Sequence, residues 1–191
     1  MDNLFPYLAK GVKMNFFERF FGHLRTITKH RYTVIYHSFK ADIPHRGLLH
    51  DLSKYAPCEF FSGVKYYAKI RSPNEKERED KGYSAAWLHH KGRNRHHFEY
   101  WNDYNPKEKR VMPVKMPIVF VKEMFCDRVA ASKIYQGENY TETHPIEYFR
   151  RGKKNRFIHP ETSDLIESWL LMLSQKGEKE TFRHIRSVKK Y

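Results

Sequence analysis

A chain of 191 residues is long enough to bury a substantial apolar core in one domain, and 16% aromatic residues exclude a disordered polypeptide, which lacks side chains of that size. Thirty-six lysines and arginines against 22 acids leave a net charge of +14, which favours phosphate-bearing partners such as nucleotides, nucleic acid or anionic headgroups without choosing among them; an anionic, phosphate-containing small molecule such as a nucleotide is the partner expected, with nucleic acid as a further option. Only Cys58 and Cys126 occur, which excludes a disulfide framework and zinc-knuckle spacing; both are expected as core thiols in a reducing cytoplasm.

Lys10, Lys13, Glu18 and Arg19 interrupt the first 21 residues, so neither an export signal nor a membrane helix is expected, and no membrane partner. Phe16, Phe17, Phe20 and Phe21 stand at helical spacing and are expected to face a core. From 15 to 41, apolar residues recur at intervals of three and four, predicting one long helix or a pair broken near Gly22. Asp42 and Pro44 open a short second helix through Leu48, Leu49 and Leu52, which ends before Pro57. A third helix is predicted over 57–69.

Residues 71–82 have no apolar periodicity and read as an exposed loop. Two short helical pieces, 83–91 and 95–103, are predicted on either side of Gly92, followed by a proline-containing connection over 105–116. A strong helix follows over 117–136, with Pro117 at its start and Gly137 as its stop. Helices over 145–151, 161–176 and 178–187 complete the chain, and no segment shows a sustained period of two. The expectation is a single all-α domain over 1–191, its core at 15–136 and C-terminal helices at 145–187.

Three features carry chemistry. Lys54 lies four residues after His50 and three after Asp51, so on one helix all three project toward overlapping parts of a face, with Leu48, Leu49 and Leu52 anchoring it. His89, His90, His96 and His97 place four of twelve histidines within nine residues, and a turn at Gly92 can fold one pair beside the other as transition-metal ligands. Asp127 sits in an apolar helical stretch, where a buried carboxylate needs a cation for company. Arg128, its neighbour, points about 100° away and does not meet that need.

The order His30, His50-Asp51, Asp127 resembles the H…HD…D motif of the HD-domain superfamily. Residues 50–54 resemble its HDIGK variant, with Leu52 and Ser53 in place of Ile and Gly. The run from His89 to Trp101 is similar to that of a small uncharacterised bacterial and phage family of HD-like proteins. The resemblance covers about 25–135 and implies a bundle of about six to eight helices around a metal site. It further implies one metal ion on His30, His50, Asp51 and Asp127, and a second bridged by Asp51 and held by His90 and His97. His89 and His96 stand next in line. One or two divalent ions are implied, of manganese, iron, zinc, magnesium, nickel or cobalt. The GYP signature of the cyclic-dinucleotide branch does not follow His97.

His23 and His37 stand seven residues either side of His30, so either can lie near the site; His45, His144, His159 and His184 are expected at the surface. Tyr83, Trp87, Phe98, Tyr100 and Trp101 are expected to pack in the core rather than to stack a base. The functional expectation is a metal-dependent phosphohydrolase or phosphodiesterase, in which Asp51 and Lys54 are catalytic. Lys91, Arg93, Asn94 and Arg95 would bind the substrate's phosphate. A mixed-valent di-iron oxygenase of HD type is the alternative from the same ligands, and a non-catalytic basic module binding nucleic acid is the third reading.

Overall fold

A computed structural model describes residues 14–191, and the expectations for Lys10, Lys13 and the rest of residues 1–13 lie outside the described residues. The described chain is mostly helical: eight α-helices and one small hairpin. Helix α1, Phe16–Lys40, opens on a reciprocal cap in which Glu18 N donates to Asn15 Oδ1 (2.9 Å) and Asn15 N to Glu18 Oε2 (2.7 Å). It runs unbroken through Gly22. Its buried side is His23, Ile27, His30, Val34 and His37, one stripe at the helical repeat. Phe16, Phe17 and Phe21 are exposed, against expectation, because that stripe lies on another face; only Phe20 packs inward, against Phe60 (5.1 Å).

Helix α2, Pro44–Leu49, crosses α1 so closely that a Cβ on Gly47 would meet Ser38 Cβ at 2.6 Å. The predicted extension of this helix does not form. Asp51 is left-handed (φ 54°), and a 3₁₀ turn, Leu52–Tyr55, carries the chain into α3, Pro57–Lys65. Leu48, Leu49 and Leu52 are about half exposed, so they do not anchor this segment in the core.

The predicted loop at 71–82 is instead helix α4, Pro73–Lys81. Local signals build it: Ser72 as N-cap, proline in the first turn, and left-handed Gly82 (φ 78°) as stop. Its one buried residue, Glu77, accepts from Ser84 Oγ (2.6 Å) and Ala86 N (3.4 Å), tying α4 to the start of helix α5, Ala85–Arg93. Helix α5 also passes straight through Gly92, so the reversal between the histidine pairs falls at Asn94.

The second predicted helical piece, 95–103, is only a 3₁₀ turn, Phe98–Tyr100, which runs into an antiparallel hairpin of β1, Asn102–Asn105, and β2, Arg110–Pro113. Its strands are four residues long and largely exposed, too short to show alternation. Helix α6, Ile118–Gln136, stops at Gly137; α7 spans His144–Arg151; and α8, Pro160–Ser187, bends at Gly177 (φ 76°).

The main core joins Val34 of α1 and Val121, Phe125 and Val129 of α6 to Phe149 of α7 and Trp169, Leu173 and Ile185 of α8. The C-terminal helices are thus part of the same apolar cluster as α1 and α6. Trp101 and Phe98 pack on its edge, whereas Tyr83 is exposed. Cys126 is buried and Cys58, on the outer side of α3, is exposed. No helix among the described residues is long and apolar enough to cross a membrane.

Candidate metal centre

Four pieces of backbone deliver the site. The buried stripe of α1 presents His30, the left-handed turn after α2 presents His50 and Asp51, α5 and the turn after it present His90, His96 and His97, and α6 presents Asp127. Asp51 is 2% exposed and His50 1%. The left-handed backbone at Asp51, which aspartate tolerates better than most residues, lets consecutive side chains meet at one point where a helix would separate them.

Among the described residues, donor atoms form two four-residue groups able to hold a metal ion, His30, His50, Asp51 and Asp127, and Asp51, His90, His96 and His97, and a smaller third, His50, His96 and Glu123, the atoms of each within 4.8 Å of one another. Asp51 belongs to both four-residue groups through different oxygens. Its Oδ2 faces His50 Nε2 (3.2 Å) and His30 Nε2 (3.6 Å), while Oδ1 faces His90 Nε2 (3.2 Å) and His96 Nε2 (3.5 Å). Asp127 Oδ1 lies 3.0 Å from His30 Nε2 and 3.6 Å from His50 Nε2.

Fit to a metal is tested by what these atoms do otherwise. Nε2 of His30, His50, His90, His96 and His97 and Asp51 Oδ1 are buried without hydrogen-bond partners, and Asp51 Oδ2 has the Lys54 ammonium beside it. Five imidazole nitrogens and a carboxylate sharing one desolvated space are costly unless a cation satisfies them, and nitrogen and oxygen donors suit a divalent transition metal. The residues present fit one or two such ions.

The opposite ring nitrogens are fixed by carboxylates. His50 Nδ1 donates to Glu123 Oε1 (3.0 Å), His96 Nδ1 lies 3.2 Å from the same oxygen, and Arg46 Nε donates to Glu123 Oε2 (2.7 Å). His90 Nδ1 donates to Glu59 Oε2 (2.8 Å), whose other oxygen accepts from His89 Nδ1 (2.5 Å). Carboxylates in this position orient metal-ligating imidazoles and raise their basicity. Glu123 and Glu59 escape the motif-based reading. Glu123 had a signal, since it stands four residues before Asp127 in the same apolar stretch.

Charge states follow from this packing. Burial alone would lower the His50 pKa, but Asp51, Asp127 and Glu123 hold it well above the usual histidine range. Burial would raise Asp51, but His50, Lys54 and His90 hold it well below the carboxylate range. Burial likewise opposes ionisation of Glu123, which His50 and His96 pull down to about 2. Burial, with His96 and His90 alongside, keeps the His97 imidazole neutral far below its ordinary value. Lys54 Nζ lies 2.6 Å from Asp51 Oδ2; burial disfavours its charge, and Asp51 and Asp127 outweigh that and keep it an ammonium.

The remaining candidates divide. His89 is turned to Glu59 and belongs to neither four-residue group, whereas His96 belongs to one. Lys91 lines a cavity of about 1060 Å³ that also touches His30, Lys54, His90, His97 and Asp127. Arg93 and Arg95 are exposed outside that lining. The Asn94 amide is engaged with Ser53 Oγ (2.8 Å) and the His90 carbonyl (2.9 Å), so it braces the turn, outside the cavity lining. His23 lines the same cavity, while His37 lies apart among Lys133, Lys40 and Glu178. His45 and His184 are exposed, and His144 and His159 are half-buried. A second hollow of about 520 Å³, along Arg25, Lys29, Tyr32 and Tyr36, contains none of the cluster.

Fold and site together define a mostly helical protein with a buried histidine and carboxylate centre able to hold metal ions. Residues 19–172 match the family described as "Family of unknown function (DUF5662)", and the chain belongs to it. No curated protein and no solved structure matches it.

Proposed function

We propose that this protein is a metal-dependent phosphohydrolase or phosphodiesterase acting on a nucleotide or another phosphate ester, with an HD-type centre. The observation that carries this reading is Asp51, which offers one oxygen to each donor group while its neighbour Lys54 holds an ammonium 2.6 Å away on the cavity side. His30, His50, Asp51 and Asp127 would hold one ion and Asp51, His90, His96 and His97 the other. Such ions lower the pKa of water and polarise a phosphoryl oxygen.

The chain's own groups supply the rest. Lys54, kept charged by Asp51 and Asp127, presents an ammonium to the phosphate's oxygens, where a donor placed in advance acts most strongly. Lys91, on the same wall, adds a second positive charge. Glu123 and Glu59 keep His50, His96 and His90 turned toward the centre.

The donor count also supports a second reading, an HD-type mixed-valent di-iron oxygenase, since five imidazoles and two aspartates suit iron. Elemental analysis of gently purified protein, joined to a screen of nucleotides and phosphate esters with added Mn²⁺ or Mg²⁺, tests both. Phosphate release that disappears in Asp51→Asn supports the hydrolase. Metal-free protein, inert with every divalent ion, sinks it; two irons per chain with a mixed-valent spectrum favour the oxygenase. Salt-sensitive binding of DNA or RNA, indifferent to His50→Ala and without turnover, would identify a nucleic-acid-binding module.

A further inference from the structure

The cavity that reaches the histidine and carboxylate centre is cationic at a second place. Arg128, on α6 one residue beyond Asp127, and Arg156, just past α7, both line it. They flank one aromatic ring: the Arg128 and Arg156 guanidinium carbons lie 5.3 Å and 4.5 Å from the centre of Phe149. Neither forms an ion pair with any carboxylate among the described residues, and Arg128 Nε is buried without a hydrogen-bond partner. Some other arginines do find acids, as in Arg46 with Glu123, Arg71 with Glu79 and Arg150 with Glu167. Asp127, then Glu99, are the acids whose charge reaches Arg128, and neither pairs with it.

Two guanidinium groups brought together repel each other, and burial raises that cost. Here backbone carbonyls hold one of them in place, Arg156 donating to Phe149 O and Tyr148 O. Arg128 keeps its fork free, and Arg156 adds a fixed charge with the N–H groups its carbonyl partners leave over, a combination suited to the oxygens of a phosphate dianion. The wall around them carries the aromatic side chains of Tyr148 and Phe157, and the volume of about 1060 Å³ accommodates a nucleotide-sized molecule.

We infer that Arg128 and Arg156 form a distal phosphate subsite, and that the substrate is a bisphosphate: one phosphate ester at the His30–Asp127 end, a second phosphate at the arginine pair. This rests on the phosphoester reading of the centre. The second phosphate anchors the molecule and is not itself cleaved. A monophosphate on the same scaffold fills only one end and binds more weakly.

Calorimetry on chelator-treated protein tests the subsite without turnover, using two matched pairs: adenosine 5′-monophosphate against adenosine 3′,5′-bisphosphate, and fructose 6-phosphate against fructose 1,6-bisphosphate. At least one bisphosphate is expected to bind about tenfold tighter or more than its partner, the size of one charged hydrogen-bond set. Arg128→Gln and Arg156→Gln should each collapse that preference. Where a glutamine variant gives no cooperative melt, Arg156→Lys replaces it, keeping the charge and losing the fork, and should lose part of the preference. Equal affinity within both pairs, or a preference untouched by these substitutions, overturns the subsite even if phosphate esters are hydrolysed. A preference that the substitutions abolish sustains the subsite even if no divalent ion yields hydrolysis, which would fault the centre's reading instead.

Discussion

At the scale of single residues, Glu123 connects the candidate metal centre to the fold. It is fully buried, and its charge is balanced by His50, His96 and Arg46. Glu123→Gln keeps the shape but removes the charge that orders two imidazoles, so metal affinity should fall by about 10- to 100-fold, measured by calorimetric titration of the chelated protein. A change below about threefold would mean that the rings are held by packing alone. Lys54→Met should leave bound metal in place while lowering kcat by about 100-fold, the scale of one lost electrostatic donor. Loss of metal together with activity would assign Lys54 to holding Asp51 instead. Much of this set was legible in the sequence because His30, His50, Asp51 and Asp127 stand in the order of a motif they resemble and the histidines cluster. Glu123 was not, although the argument applied to Asp127, an acid in an apolar helical stretch, holds equally four residues earlier. The pairing of Lys54 with Asp51 was expected from helical spacing, but the structure makes it across a left-handed residue and a 3₁₀ turn.

At the scale of elements, helix α4 shows what periodicity misses. It buries a single residue, and that residue is a glutamate, so no apolar stripe exists to find. Its caps were visible in Ser72, Pro73 and Gly82, and they outweigh the missing stripe because the helix serves as a polar clamp on α5. The consequence is testable through Ser84, which caps α5 by accepting from Trp87 N (3.0 Å) and also donates to Glu77. Ser84→Ala removes both bonds and should destabilise the protein by about 1 to 2 kcal/mol in urea unfolding. Because α5 carries His90, metal affinity should fall as well; unaltered stability and affinity would show that α4 and α5 are held independently. The hairpin Asn102–Pro113 was illegible for a different reason, since four-residue exposed strands carry no alternation, and the Leu48, Leu49 and Leu52 run misled because those side chains face outward.

Across the whole molecule, helices α1, α6 and α8 meet around His37, which is fully buried against Phe182 (5.2 Å) with Lys133, Lys40 and Glu178 around it. Burial, then Lys133, lowers its pKa from the ordinary 6.5 to about 4, against the smaller upward pull of Glu178. The unfolded chain therefore takes up this proton near pH 6.5 and the folded chain only near pH 4. Stability from this residue is complete above the upper value and is lost as pH falls through the window, by up to about 3 kcal/mol. Urea unfolding at pH 7.5 and 5 should show this loss in the parent and a shallower one in His37→Gln; parallel slopes would place the acid sensitivity elsewhere.

A cation held by the donor groups would act on α1 and α6 as well. Residues on α1, the turn after α2, α5, the turn after it and α6 converge on Asp51, so a cation there ties together elements that otherwise meet through apolar contacts. Those donors come together only in the folded chain, so an ion binds the folded state preferentially and raises its stability by mass action. At a free metal concentration 100 times the dissociation constant this amounts to about 2.7 kcal/mol, or a rise in Tm of roughly 5 to 10 °C for a domain of this size. Scanning calorimetry of chelator-treated protein before and after adding Mn²⁺, Zn²⁺ or Fe²⁺ should show that rise with at least one ion. Asp51→Asn, whose side chain tolerates the left-handed backbone, should fold yet lose most of the response, because Asp51 serves both donor groups. A melting temperature indifferent to every ion and to the chelator would mean that Lys54 and protonated imidazoles alone balance the buried carboxylates, and that the centre is a structural charge network.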